Sequence, residues 1–145
     1  MAASLDDLLP RADQERVAAA IRDAESRTSG EIKVHLDERC PGDAMERAKA
    51  LFAALGLTRT AACNGVLVYL AVRDRKYAIL GDSGIHGAAG PAFWDEAAAR
   101  MRACFARGAL GDGLCAAIAA VGERLAAAFP RRADDQNELS DDISH

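Results

Sequence analysis

The sequence predicts an α/β fold: a single-domain α/β/α sandwich with a small mixed central sheet, made of a parallel βαβ unit and a β-hairpin. Three observations carry that prediction. Residues 31–36 alternate polar and apolar as Glu-Ile-Lys-Val-His-Leu, the period of a half-buried strand. A helical run separates them from a second apolar stretch at 66–72, and the order strand, helix, strand favours parallel pairing through a right-handed crossover. That second stretch faces a third, 76–80, across Arg73-Asp74-Arg75, which is hairpin spacing.

Taken in order, Leu5, Leu8 and Leu9 have helical spacing before Pro10, and Val17, Ala20, Ile21 and Ala24 mark a helix over 13–27. Thr28-Ser29-Gly30 stops it, with Gly30 suited to a positive φ at the helix end. The strand 31–36 puts Ile32, Val34 and Leu36 on one face and His35 on the other. Cys40-Pro41-Gly42-Asp43 is a turn, and Met45, Ala48, Leu51, Phe52 and Leu55 describe a helix that Gly56 ends. After the hairpin, 82–91 reads as a loop. Two helices follow, 92–106 with Phe93, Trp94, Ala97 and Met101, and 111–129 with Leu114, Ile118, Val121 and Leu125. A short fourth strand is compatible with the pattern. Residues 1–130 form one domain in this reading, its core at 13–130, and 131–145 form an acidic tail, either solvated or docked on the core through Leu139 and Ile143.

A chain of 145 residues that is 50% apolar and 5% aromatic suits one domain with an Ala/Leu/Val core. The formal charge of −4, with acidic residues gathered towards the tail, argues against a nucleic-acid partner. The longest strongly apolar stretch, 65–72, is far short of the roughly 20 residues of a bilayer span, and Met1-Ala-Ala-Ser runs straight into Leu-Asp-Asp. No signal peptide and no membrane anchor are expected. Cys40, Cys63, Cys104 and Cys115 show neither C-x-x-C nor zinc-site spacing. They read as reduced thiols acting as small buried hydrophobes in a cytoplasmic protein. No repeat of solenoid period is present.

If the strands pair as read, Asn64-Gly65 and Gly81-Asp82 emerge side by side, and the parallel first strand brings Glu31 to the same end. Calcium takes about six to eight oxygen ligands, so a carboxylate and an amide among glycines are the right donors. Asp82 is the best candidate ligand, with Asn64, Glu31 and Asp95 as further ones. Each has a plainer role open to it. Asp82 could cap a turn or the following helix, Glu31 could face solvent, and Asp95 could complement a helix dipole. Asp112, between Gly111 and Gly113, reads as a helix N-cap. The oxygen-rich stretch 134–142 lacks the central glycine and spaced glutamate of an EF-hand. His86 is the histidine nearest Asp82 in sequence, and Trp94 should pack at the base of the loop with its indole N–H on a loop carbonyl.

Phosphate-ester hydrolysis needs a nucleophile or activated water, cationic stabilisation and a general acid. The chain has no P-loop, no Cys-x5-Arg loop and no D-x-D-x-T/V, so a phosphatase would depend on a metal-bound hydroxide at Asp82 and its neighbours.

The segments T-S-G-E-I-K-V-H, L-F-A-A-L-G-L-T-R-T, N-G-V-L-V-Y-L, G-D-S-G-I, A-F-W-D and N-E-L-S-D-D-I, in that order over 26–143, resemble the TPM domain family, also described as thylakoid acid phosphatase-like, in its short bacterial form. The resemblance implies an α/β/α sandwich with a mixed sheet, calcium binding, and the acid phosphatase activity of some plant members. Membrane-attached members often read G-Y-G where this chain has Gly81-Asp82-Ser83-Gly84. The expectation is therefore a monomeric module that binds Ca²⁺ or another divalent cation and engages a protein partner. The enzymatic alternative is a metal-dependent acid phosphatase on small phosphomonoesters. A scaffold with neither metal nor turnover is the third.

Overall fold

A computed structural model of the chain describes residues 4–60, 62–131 and 143–145. Side-chain alternation sets its sheet. Ile32, Val34 and Leu36 of β1 (Glu31–Asp37) enter one apolar core, joined by Val66, Val68 and Leu70 of β2 (Gly65–Ala71). Leu67, Tyr69 and Ala71 enter a second core on the opposite face. β2 is buried at every position, as a strand covered on both faces must be. β1 and β2 pair in parallel, with Glu31 opposite Gly65 and His35 opposite Tyr69. β2 pairs antiparallel with β3 (Lys76–Gly81), with Val66 opposite Gly81, so the crossover unit and the hairpin share β2.

Helices cover both faces. α1 (Leu5–Leu8) starts in a capping box between Ser4 and Asp7. α2 (Arg11–Glu25), α5 (Pro91–Ala106) and α6 (Leu110–Ala128) pack on the first core, through Val17 and Ile21, Ala97 and Met101, and Leu114, Ile118 and Leu125. α3 (Ala44–Ala54) covers the other face with Ala48, Leu51 and Phe52. Asp43 caps α3 by accepting from the Glu46 N–H, and Gly56, at φ 83°, ends it before a single 3₁₀ turn, Leu57–Arg59. This is the α/β/α sandwich with a mixed sheet.

Several local expectations are corrected. The loop at 82–91 contains a helix, α4 (Ser83–Ala89), with Asp82 at its N-cap. Its glycines and small residues have little intrinsic helicity, but Ile85 is fully buried and the Gly84 N–H reaches Cys63 O at 2.8 Å. Gly30 is not among the residues with positive φ. It is small because the Leu125 methyls lie 2.8 and 2.9 Å from where its Cβ would be. The hairpin loop extends over 72–75, with Arg75 at φ 54°. α6 begins before Asp112, whose carboxylate instead accepts from Arg16 at 2.6 Å. The Trp94 indole N–H is buried and has no hydrogen-bond partner among the described residues. Its ring lies over Gly81, where a Cβ would come within 2.6 Å of it. All four cysteines are free thiols, but only Cys40 is buried and Cys63 is exposed.

The fourth strand is a single parallel bridge between His35 and Ser144, with Ile143 buried in the first core. The remainder of the acidic stretch, 132–142 with Leu139, lies outside the described residues. No described helix is long and apolar enough to cross a membrane.

Candidate functional site

The parallel register brings Glu31 level with Gly65, and the hairpin brings the Asp82 N–H to Gly65 O at 2.9 Å. Glu31, Asn64 and Asp82 therefore stand on three adjacent strand ends. Glu31 and Asn64 are buried, at 2% and 1% exposure. The Asn64 side-chain amide donates to Ser29 Oγ at 3.3 Å, and its backbone N–H donates to Thr60 Oγ1 at 3.3 Å. Asp82 is half-buried, and its Oδ1 accepts from the Ser83 N–H at 2.7 Å, the capping role. The turn that carries Ser29 is fixed by α6, since the Ser29 N–H donates to Phe129 O at 3.0 Å and the Thr28 hydroxyl bonds the same carbonyl. Glu25, at the end of α2, accepts from the Ile32 N–H at 2.8 Å and so holds the start of β1.

Asp95 does not join this group by any hydrogen bond. It is exposed on α5, next to the Trp94 that covers Gly81. His86 is exposed on α4 with its ring stacked on Trp94, centroids 5.9 Å apart. Among the described residues no three His, Cys, Asp or Glu side chains group closely enough to hold a metal by themselves. The donors at this end are hard oxygens, which suits calcium or magnesium rather than zinc. They are few, so water and backbone carbonyls would complete any coordination shell.

A denser polar network occupies the opposite, carboxyl end of the parallel pair, the end at which open α/β sheets commonly present ligand crevices. Asp37 Oδ1 accepts from His35 Nε2 at 3.0 Å and Arg47 at 3.5 Å; its Oδ2 accepts from the Tyr69 hydroxyl at 2.7 Å and Arg47 Nε at 3.0 Å. Burial pushes the Asp37 carboxyl up, but these bonds together outweigh it and hold the group below its usual value. Asp37 is thus an acceptor, so Nε2 of His35 carries the proton. Burial also depresses His35, against the pull of Asp37, and keeps the ring neutral. Its Nδ1 then accepts from the Ser144 hydroxyl at 2.8 Å, the shorter of that hydroxyl's two contacts, the other being Val34 O at 3.2 Å. The His35 ring stacks on Tyr69 at 6.1 Å between centroids.

Ser, His and Asp in this order match a hydrolytic relay, yet the Ser144 N–H is already committed to Val34 O at 3.0 Å and cannot serve an oxyanion. The arrangement holds a strand instead. Nearby, Lys76 donates to the Cys40 and Gly42 carbonyls at 2.7 and 2.9 Å, and Asp74 accepts from the Cys40 N–H at 2.7 Å. These bonds close the loop between β1 and α3. Asp37, Tyr69 and Arg47 are the polar residues that sequence reasoning missed. The available signal was His35 and Asp37 two apart on one strand face, with Arg47 in the following helix.

Fold and site together define an α/β/α sandwich that carries polar groups at both ends of a parallel strand pair. The TPM domain model matches residues 4–124, and the chain belongs to the TPM domain family. It is similar to the BA42 protein of the psychrophilic bacterium Bizionia argentinensis, with 38% identity over 97% of each chain and a TM-score of 0.89. The N-terminal domain of the cg2496 protein of Corynebacterium glutamicum shares the fold, with 20% identity, 81% of this chain and 74% of that chain covered, and a TM-score of 0.63. No curated protein matches the chain.

Proposed function

We propose that this TPM domain protein is a divalent-cation-binding module that engages a protein partner, with Ca²⁺ as the ion, at the amino end of the β1 and β2 pair. The observation that carries this reading is the strand register, which sets Glu31, Asn64 and Asp82 on adjacent strand ends. Asp82 spends one oxygen on its cap, leaving Oδ2 for a cation, and Asn64 donates through its amide nitrogen, leaving its carbonyl oxygen. Glu31 would supply a second carboxylate, and Asp95 would act from α5 through water. Two carboxylates and an amide suit a weak site, with Kd on the order of 10⁻⁴ to 10⁻³ M. The acid phosphatase activity that the resemblance implies would use the same ion, and no observation at this end favours it.

Calorimetric titration with Ca²⁺ and Mg²⁺ tests the site. Asp82→Asn keeps a good N-cap and removes the carboxylate charge, so it separates ligation from helix stability. Saturable heat with the parent chain, weakened at least tenfold in Asp82→Asn, is the expected result. Equal binding by the two proteins would put the ion elsewhere.

A further inference from the structure

The outer edge of β1 is already a strand acceptor. The Ser144 N–H donates to Val34 O at 3.0 Å, and the Leu36 N–H donates to Ser144 O at 2.9 Å, the two bonds by which a residue on a parallel neighbour brackets its bridge partner, here His35. Two side chains add selectivity. Ile143 points into the first core at 8% exposure, and Ser144 on the other face meets Nδ1 of the neutral His35. Beside Ile143 is an open cleft of about 520 Å³, lined by Leu5, Arg11, Gln14, Glu15, Ala18 and Ile143 itself.

Among the described residues, Ser144 is the one that bridges to this edge, through two backbone bonds and a hydroxyl contact, with the Ile143 side chain buried beside it. A segment of the same chain has the advantage of effective concentration over a separate peptide for such a slot. We propose that the β1 edge is a peptide-binding site, occupied in this chain by Ile143–His145, that takes an extended partner segment bearing an aliphatic residue followed by Ser or Thr. Main-chain bonds to Val34 and Leu36 supply affinity, and the Ile143 slot and His35 supply the choice of side chains, as in other strand additions. This is independent of the cation reading, since no residue is shared.

The test uses the full chain and a labelled, amidated peptide of the sequence 141–145, followed by fluorescence anisotropy. Ile143→Asp ejects the resident segment, because a carboxylate cannot enter the apolar slot. The variant should bind the peptide saturably, at least tenfold more tightly than the parent chain, whose own segment competes. A peptide with Asp in place of its Ile should lose binding. One with Ala in place of its Ser should bind about fivefold less tightly, the worth of one hydrogen bond. If Ile143→Asp does not fold, the parent decides: millimolar peptide should shift the Ser144 amide in a ¹⁵N-labelled chain and leave the amides of β3 unmoved. Equal peptide binding by variant and parent, or an unmoved Ser144 amide at saturating peptide, would overturn the proposal.

Discussion

At the scale of single residues, Asp37 is the polar centre of the molecule, its two oxygens taking bonds from His35, Tyr69 and Arg47. Tyr69→Phe removes the 2.7 Å bond while keeping the ring stacked on His35. A hydrogen bond to a charged acceptor contributes about 1.5 to 3 kcal/mol, and urea denaturation should register a loss within that range. The same change should raise the Asp37 pKa, readable by NMR titration, because one of the bonds that lower it has gone. His35 gives the opposite kind of pH dependence from a surface histidine that gains a carboxylate. Its pKa is depressed in the fold from 6.5, so below that value the unfolded chain binds the proton first. The stability it contributes is present above pH 6.5 and is lost as pH falls through the folded value. Urea midpoints of the parent at pH 7 and pH 5 should therefore differ more than those of His35→Gln. An equal difference in the two proteins would remove His35 from this role.

At the scale of elements, α4 shows how context makes a helix. Gly84 and Gly87 lie in the same helix of seven residues and have opposite surroundings. A Cβ on Gly84 would lie 2.6 Å from the carbonyl oxygens of Ala62 and Cys63, whereas one on Gly87 would meet nothing within 4 Å. Gly84→Ala should cost about 1 to 3 kcal/mol through overpacking against backbone. Gly87→Ala should stabilise by about 0.5 to 1 kcal/mol, because only the helix propensity of glycine is at stake. Thermal unfolding of the two variants checks both signs. The contrast also explains what the sequence made legible. Helices α2, α3, α5 and α6 repeat apolar residues every three or four positions, and β1 alternates, so periodicity reveals them. Asn64, Asp82 and Glu31 could be brought together because a crossover and a hairpin share one strand. α4 has too few apolar residues for a period, and its supports, the Cys63 carbonyl and the core around Ile85, come from elsewhere. The bond between His35 and Ser144 spans 109 positions and leaves no local pattern. The Trp94 N–H, expected on a loop carbonyl, illustrates the same limit: packing over Gly81 settled the ring's position.

At the scale of the whole molecule, the sheet divides into a protected middle and a reversible border. β2 pairs on both sides and is buried on both faces, so its amides can exchange only when β1, β3 and the helical layers all part from it. That opening is global unfolding. Among the described residues, the Leu36 amide on the outer edge of β1 bonds to Ser144 O, and undocking of Ile143–His145 exposes it while β2 stays paired on both sides. Native-state hydrogen exchange should therefore give the Leu67 and Tyr69 amides a single opening free energy equal to that from urea denaturation, and give Leu36 a smaller one. Ile143→Asp should bring the Leu36 value down further, and any fall for Leu67 and Tyr69 should match the variant's loss of global stability. If Leu36 exchanged as slowly as Leu67 in the parent chain, the border would be as firm as the centre, and β1 would have no edge to offer a partner.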